Sequence, residues 1–146
     1  VIETSIGLDR MFLAVLSAAL KEEQVDEKNT RTVLKIPAFL APVKVAVLPL
    51  LKKDGLPEVA HQIIDEIQWE TQVTYDDKDA VGRRYRRQDA AGTPYCVTVD
   101  HQTLEDQTVT LRDRDTMEQS RVAVRDLASI IADKISMTKV LKQVAY

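Results

Sequence analysis

Apolar side chains at Leu8, Met11, Phe12, Val15, Leu16, Ala19 and Leu20 recur at spacings of three and four. That period places them on one face of an amphipathic helix over residues 8–20. The next stretch, Lys21-Glu-Glu-Gln-Val-Asp-Glu-Lys-Asn29, is polar and without period. It reads as a solvated linker and as the best domain boundary in the chain. Pro37 and Pro42 bracket a further non-helical segment, because the residue before a proline is pushed toward extended backbone.

Beyond Pro42 the pattern alternates between strand and helix. Val43-Lys-Val-Ala-Val-Leu48 is β-branched and nearly all apolar, as a strand covered on both faces requires. Pro49 lacks an N–H and marks its end. Gly55 and Pro57 open a helix with an apolar face at Val59, Ala60, Ile63, Ile64 and Ile67. Thr71-Gln-Val-Thr-Tyr75 alternates like a strand, and Asp76-Asp77-Lys78-Asp79 offers a turn and a helix N-cap. A helix from Ala80 to Asp89 follows and ends near Gly92. Thr93–Val99 and Gln107–Arg112 read as strands, Arg121–Val124 as a fifth, and a last helix carries Leu127, Ile130, Ile131 and Ile135. Strand–helix–strand units demand parallel pairing with right-handed crossovers, while short connections between the later strands require an antiparallel member. The expected fold is therefore α/β: three layers, α/β/α, around a mixed, mainly parallel sheet of about five strands, preceded by an N-terminal helix.

With 146 residues, 45% apolar and 29% charged, the composition is that of a globular protein and not of a disordered one. No apolar run approaches the ~20 residues of a membrane-spanning helix, and no basic-then-apolar leader is present, so no membrane partner is expected. The chain opens on Val1 rather than methionine and is expected to be a piece of something larger. A single cysteine, Cys96, excludes an internal disulfide and a multi-cysteine metal site. It lies in an apolar strand and is expected to be an inert buried thiol.

The net charge of −3 hides a strong local contrast. Gly82-Arg-Arg-Tyr-Arg-Arg-Gln88 packs four arginines into five positions, so residues 81–90 carry +3, whereas residues 65–79 carry −5. The planar guanidinium fork suits phosphate and base edges. The competing reading is a solvated helix face paired with the nearby aspartates. With two Phe, one Trp and four Tyr, a broad stacking platform for single strands is not expected. Reading a few splayed bases remains open, with Tyr85, Tyr95 and His101 as stacking candidates beside core roles. Asp113-Arg-Asp115 and Asp76/Asp77/Asp79 lack the spacing of a calcium loop and are expected to serve turns and caps. The two histidines, His61 and His101, have no coordinating partner in view, and no Gly-rich phosphate loop or nucleophile elbow occurs. No metal is expected, and no complete catalytic site lies in this segment.

Two stretches resemble a known family. Glu3-Thr-Ser-Ile-Gly-Leu-Asp-Arg10 is similar to motif 3 of class II aminoacyl-tRNA synthetases in the glycyl form. Arg31–Lys35, Ala41–Pro57, Gly82–Asp89, Gly92–Asp100, Thr103–Asp106 and Val109–Gln119 resemble, in one order, the anticodon-binding domain of the same enzymes. The resemblance implies that residues 1–30 hold the end of a catalytic domain (motif 3 strand and helix) and a linker, and residues 31–146 an anticodon-binding domain.

It further implies a parent glycine–tRNA ligase that is cytoplasmic, homodimeric and uses ATP with Mg2+, while this piece alone lacks the catalytic core and is inactive. Carried over by position, Arg10 would contact ATP, and Glu3 and Ser5 would hold glycine. Arg83 falls where an arginine bonds an anticodon base. His101 falls where the family often has a stacking phenylalanine. Arg84, Arg86 and Arg87 are candidates for phosphate, or for sheet-side ion pairs with Asp113 and Asp115. The implied partner is the tRNA(Gly) anticodon stem-loop. A non-catalytic accessory protein of the same fold, such as a DNA polymerase accessory subunit, is the alternative, and retention of Glu3, Ser5 and Arg10 disfavours it.

Overall fold

A computed structural model of the chain describes residues 2–27 and 29–144. Helix α1 (Leu8–Ala19) forms as its period predicts, but only Ala19 of its apolar stripe is buried. Leu8 and Phe12 stay 78% and 65% exposed. Ala19 packs with Ile36 and Ala41 under the first hairpin.

That hairpin overturns the linker reading. Residues 20–24 form strand β1 (Leu20–Gln24), antiparallel to β2 (Thr30–Leu34), with Glu23 opposite Arg31. Asp26 closes the turn by accepting the backbone and side-chain N–H groups of Asn29. The hairpin therefore straddles the expected boundary at residue 30. Its inward residues are Arg31 and Val33, and an inward arginine spoils the apolar alternation that marks a strand.

The main sheet has five strands: β3 (Val45–Pro49), β4 (Val73–Tyr75), β5 (Tyr95–Val99), β6 (Thr108–Asp113) and β7 (Gln119–Ala123). Their spatial order is β4-β3-β5-β6-β7, parallel across β4-β3-β5 and antiparallel across β5-β6-β7. Only β6 runs against the others. Every residue of β3 and β5 is buried, as a strand covered on both faces must be.

One face carries Val45, Val47, Val97, Val99, Val109 and Leu111, packed under α2 (Leu56–Ile67) and α5 (Val124–Lys134). Burying such side chains contributes ~1.5–3 kcal/mol each. Helix α2 starts from Gly55, whose φ of 77° is left-handed, with Pro57 in its first turn. The other face presents Ala46, Leu48 and Cys96 toward Tyr85 of α3 (Val81–Ala91).

Helix α3 has an unusual inner face: its buried residues are Arg84, Gln88 and Asp89. The aspartate run before it does not cap it, because Ala80 holds the N-cap position without a side-chain bond. The helix ends on Gly92 at φ 84°, where an added Cβ would meet Leu34 and Ile36 at 3.1 and 3.2 Å. Beneath it lies a buried ion network. Asp89 accepts from Arg112 at 2.7 and 3.0 Å and from Arg31 at 3.0 Å, and Arg31 also reaches Glu23. Burial pulls the Arg112 guanidinium down, but the bonds and charge of Asp89 outweigh it and hold it above its ordinary value. Arg114, 2% exposed, donates to the carbonyls of Leu34, Ile36 and Gly92 and to Asp115.

Two further helices were not foreseen as separate elements. Helix α4 (His101–Asp106) is closed by a capping box between Asp100 and Thr103. The expected last helix is two, α5 and α6 (Met137–Val144).

Candidate nucleic-acid interface at the carboxyl edge of the sheet

Strands β3, β4, β5 and β7 all deliver their carboxyl ends to one edge, and β6 starts there. Connectivity reverses between β3 and β5, since the chain leaves β3 for β4 on one side and returns to β5 on the other. Ligands of open α/β sheets sit in the crevice at such a switch point. The loops that emerge there are rich in paired charges. Lys52 Nζ lies 3.2 Å from Asp77, His101 Nε2 lies 3.1 Å from Asp54, and Arg121 Nη1 lies 2.6 Å from Asp100.

Burial pushes Asp100 upward, yet hydrogen bonds from Arg121 and Thr103 outweigh it and leave its carboxyl below the ordinary range. For Asp77, the Lys52 hydrogen bond dominates and likewise lowers it. His61 stacks its ring on Tyr75, the last residue of β4, at 4.4 Å.

The four arginines of α3 separate sharply. Arg84 is 3% exposed and spends its guanidinium on the carbonyls of Pro49, Lys78 and Asp79. This corrects its candidacy for RNA: it is buried against the protein's own carbonyls and ties the end of β3 and the β4–α3 loop together. Arg87 donates to Asp76 at 3.0 Å and to the Lys78 carbonyl at 2.9 Å, with Asp79 at 3.4 Å. Arg83 is open, its side chain 79% exposed and 3.9 Å from Asp79. Arg86 is exposed, and no ion pair reaches it among the described residues.

Asp113 and Asp115 are not the partners of this cluster. Asp113 accepts the N–H groups of Asp115 and Thr116 in the β6–β7 turn, and Asp115 pairs with Arg114. The partners are Asp76 and Asp79, from the acidic stretch just upstream.

Tyr85 and Tyr95 are core residues and not stacking surfaces. Tyr85 shares a 2.6 Å hydrogen bond with Thr98 and sits under the Arg112 guanidinium at 4.8 Å, and Tyr95 is 8% exposed. His101 is half exposed at the crevice, with Nε2 bonded to Asp54. Glu3, Ser5 and Arg10 are exposed in the segment that leads into α1. Lys52, Asp54 and Arg121 are edge residues that motif reading missed. Their only sequence signal is their position just past, or within, a strand that ends at this edge.

The family profile described as "Anticodon binding domain" matches residues 44–134, which takes in the whole five-stranded sheet. The chain belongs to the anticodon-binding-domain family. Its curated relatives are consistent with this. A protein of Rhodopirellula baltica named glycine–tRNA ligase is 54% identical over 139 residues, covering 92% of this chain and 26% of the relative. One of the same name from Alkaliphilus metalliredigens is 52% identical over 134 residues, covering 92% and 29%. A third, from Treponema denticola, is 50% identical over 143 residues, covering 95% and 32%. The anticodon-binding domain and its N-terminal extension thus span about a quarter to a third of the length of these relatives.

Proposed function

We propose that this chain recognises the anticodon stem-loop of tRNA(Gly) as part of a glycine–tRNA ligase. The observation that carries the reading is the family match over the sheet, joined to relatives near 50% identity that share that printed name. The edge geometry supplies a mechanism. Exposed Arg83 and Arg86 offer forked donors to phosphate and base edges, while His101 lies beside the crevice where a splayed base can enter. Phosphate contacts fix the register of the loop, and contacts to base edges select its sequence.

Residues 1–30 then belong to the end of a catalytic domain, with β1 laid against the anticodon-binding domain of 31–146. In that setting Arg10 contacts ATP, and Glu3 and Ser5 hold glycine. Arg10 suits phosphate because its charge is permanent. We assign the Mg2+ that accompanies ATP to other parts of a parent enzyme; among the described residues no group of three or more His, Cys, Asp and Glu is placed to hold a metal ion. We place that parent in the cytoplasm as a homodimer, and no helix of the described residues is long and apolar enough to cross a membrane.

Replacing Arg83 by Ala is expected to weaken binding to a glycine-tRNA anticodon stem-loop by about 1–3 kcal/mol more than binding to a loop with an altered anticodon. Arg86→Ala is expected to weaken both alike. Equal losses from Arg83→Ala on the two RNAs, at one fixed salt concentration, would end the base-reading role of Arg83.

A further inference from the structure

The crevice between the carboxyl ends of β3 and β5 holds a hydrogen-bonded pair with one member on each wall. Asp54 comes from the loop after β3, and His101 opens α4 just after β5; they meet at 3.1 Å although 47 positions apart. Their side chains are 45% and 54% exposed, so a ligand can reach both. Asp54 is held at φ 64° and followed by Gly55 at φ 77°, two successive left-handed residues at the start of α2.

Four other carboxylates near this edge are paired with arginine or lysine. Asp76 and Asp79 are tied to Arg87, Asp77 to Lys52, and Asp100 to Arg121. Asp54 has only the imidazole within hydrogen-bond distance, with Lys53 Nζ at 4.0 Å on the same oxygen. Among the described residues its other oxygen, Oδ1, takes part in no hydrogen bond.

We propose that the Asp54–His101 pair reads a cytosine of the anticodon. The inference rests on the tRNA(Gly) reading above. Every glycine codon begins with two guanines, so the anticodon of tRNA(Gly) carries cytosine at its second and third positions. The Watson–Crick edge of cytosine sets an amino donor, N4, beside an acceptor, N3. Its complement is an acceptor beside a donor. The Asp54 carboxylate can only accept and takes the N4–H on Oδ1, while the imidazole N–H of His101 turns from Oδ2 to N3.

The arginines of α3 cannot replace this pair, because a guanidinium only donates and leaves N4–H without a partner. Uracil presents the opposite edge. Its O4 acceptor would face the carboxylate, and its N3–H would compete with the imidazole donor. Rejection of uracil is thus built into the charge of Asp54.

The test uses the full chain and three anticodon stem-loops: the tRNA(Gly) loop, and two in which the second or the third anticodon cytosine is uridine. Equilibrium binding is measured at one salt concentration. The wild-type chain is expected to bind one of the two uridine loops ~10–100-fold more weakly than the parent loop. Asp54→Asn, whose amide offers an acceptor and a donor, is expected to shrink that ratio to about threefold by gaining affinity for the uridine loop. A gain cannot come from damage to the fold. Asp54→Asn that keeps the full ratio, or that loses affinity equally on all three loops, overturns the inference and leaves the anticodon reading standing. A wild-type chain indifferent to both replacements overturns the anticodon reading as well.

Discussion

Helix α3 is docked on the sheet by charge, and Asp89→Asn tests how much that docking is worth. Asp89 is 1% exposed and accepts two hydrogen bonds from Arg112 and one from Arg31, themselves 6% and 4% exposed. The amide keeps the volume but removes the charge and puts an N–H where an acceptor stood. Arg31 retains Glu23, whereas Arg112 loses its one carboxylate and stays buried.

Removing one partner of a buried pair costs ~3–5 kcal/mol, because the other charge is stranded in a poor solvent for it. Against a total stability of ~5–15 kcal/mol this is a large fraction. For a chain of this size it corresponds to a fall in Tm of roughly 10–15 °C. Urea unfolding followed by circular dichroism should show the loss in the midpoint, with the slope unchanged. Adding Arg112→Met in the Asp89→Asn background should recover more than about 1 kcal/mol, since the stranded charge is then gone. A loss below about 1 kcal/mol for Asp89→Asn, with no recovery in the double variant, would refute the docking argument.

Two other outcomes follow from the same burial and charge. Cys96 is 1% exposed, and burial pushes its thiol up to about 12, so the folded chain should not react with a thiol-specific disulfide reagent at pH 8. In denaturant the single thiol should react at once, and native-state labelling on the mixing timescale would contradict its burial. Glu23 is held below its ordinary 4.5 by the Lys35 hydrogen bond first, with bonds and charge from Arg31 also outweighing burial. Its stabilising contribution is therefore complete above 4.5 and lost as pH falls through the lower folded value. Glu23→Gln should be less stable than wild type at pH 7, with the gap closing as acid protonates the wild-type carboxyl; a gap that widens in acid would reverse the assignment.

The parts readable in the sequence are those where burial follows apolarity. Strands β3 and β5 show as continuous β-branched runs because both of their faces are covered. Helix α2 shows its period because Ala60, Ile63 and Ile67 turn inward. The hairpin was unreadable because its inward positions include Arg31, and a buried arginine looks like a solvated one until its partner 58 residues away is known. The arginine cluster divides for the same reason. Spacing places Arg83, Arg84, Arg86 and Arg87 on a helix but cannot say that its packed face is the polar one, so only the fold shows Arg84 to be internal. Asp54 shows in the sequence only as a residue past a strand end, since its meaning depends on a histidine from the neighbouring strand end.

The family match starts at residue 44, but buried contacts to the matched region come from residues before it. A chain cut there would keep all five strands of the sheet and lose the carbonyls of Leu34 and Ile36 that Arg114 needs, together with the Arg31 that shares Asp89. It would also uncover Gly92, which now lies against Leu34 and Ile36. The β1–β2 hairpin is thus tied to α3 and to the β6–β7 turn by buried charge, and a cut at residue 44 would divide one ion network between two pieces.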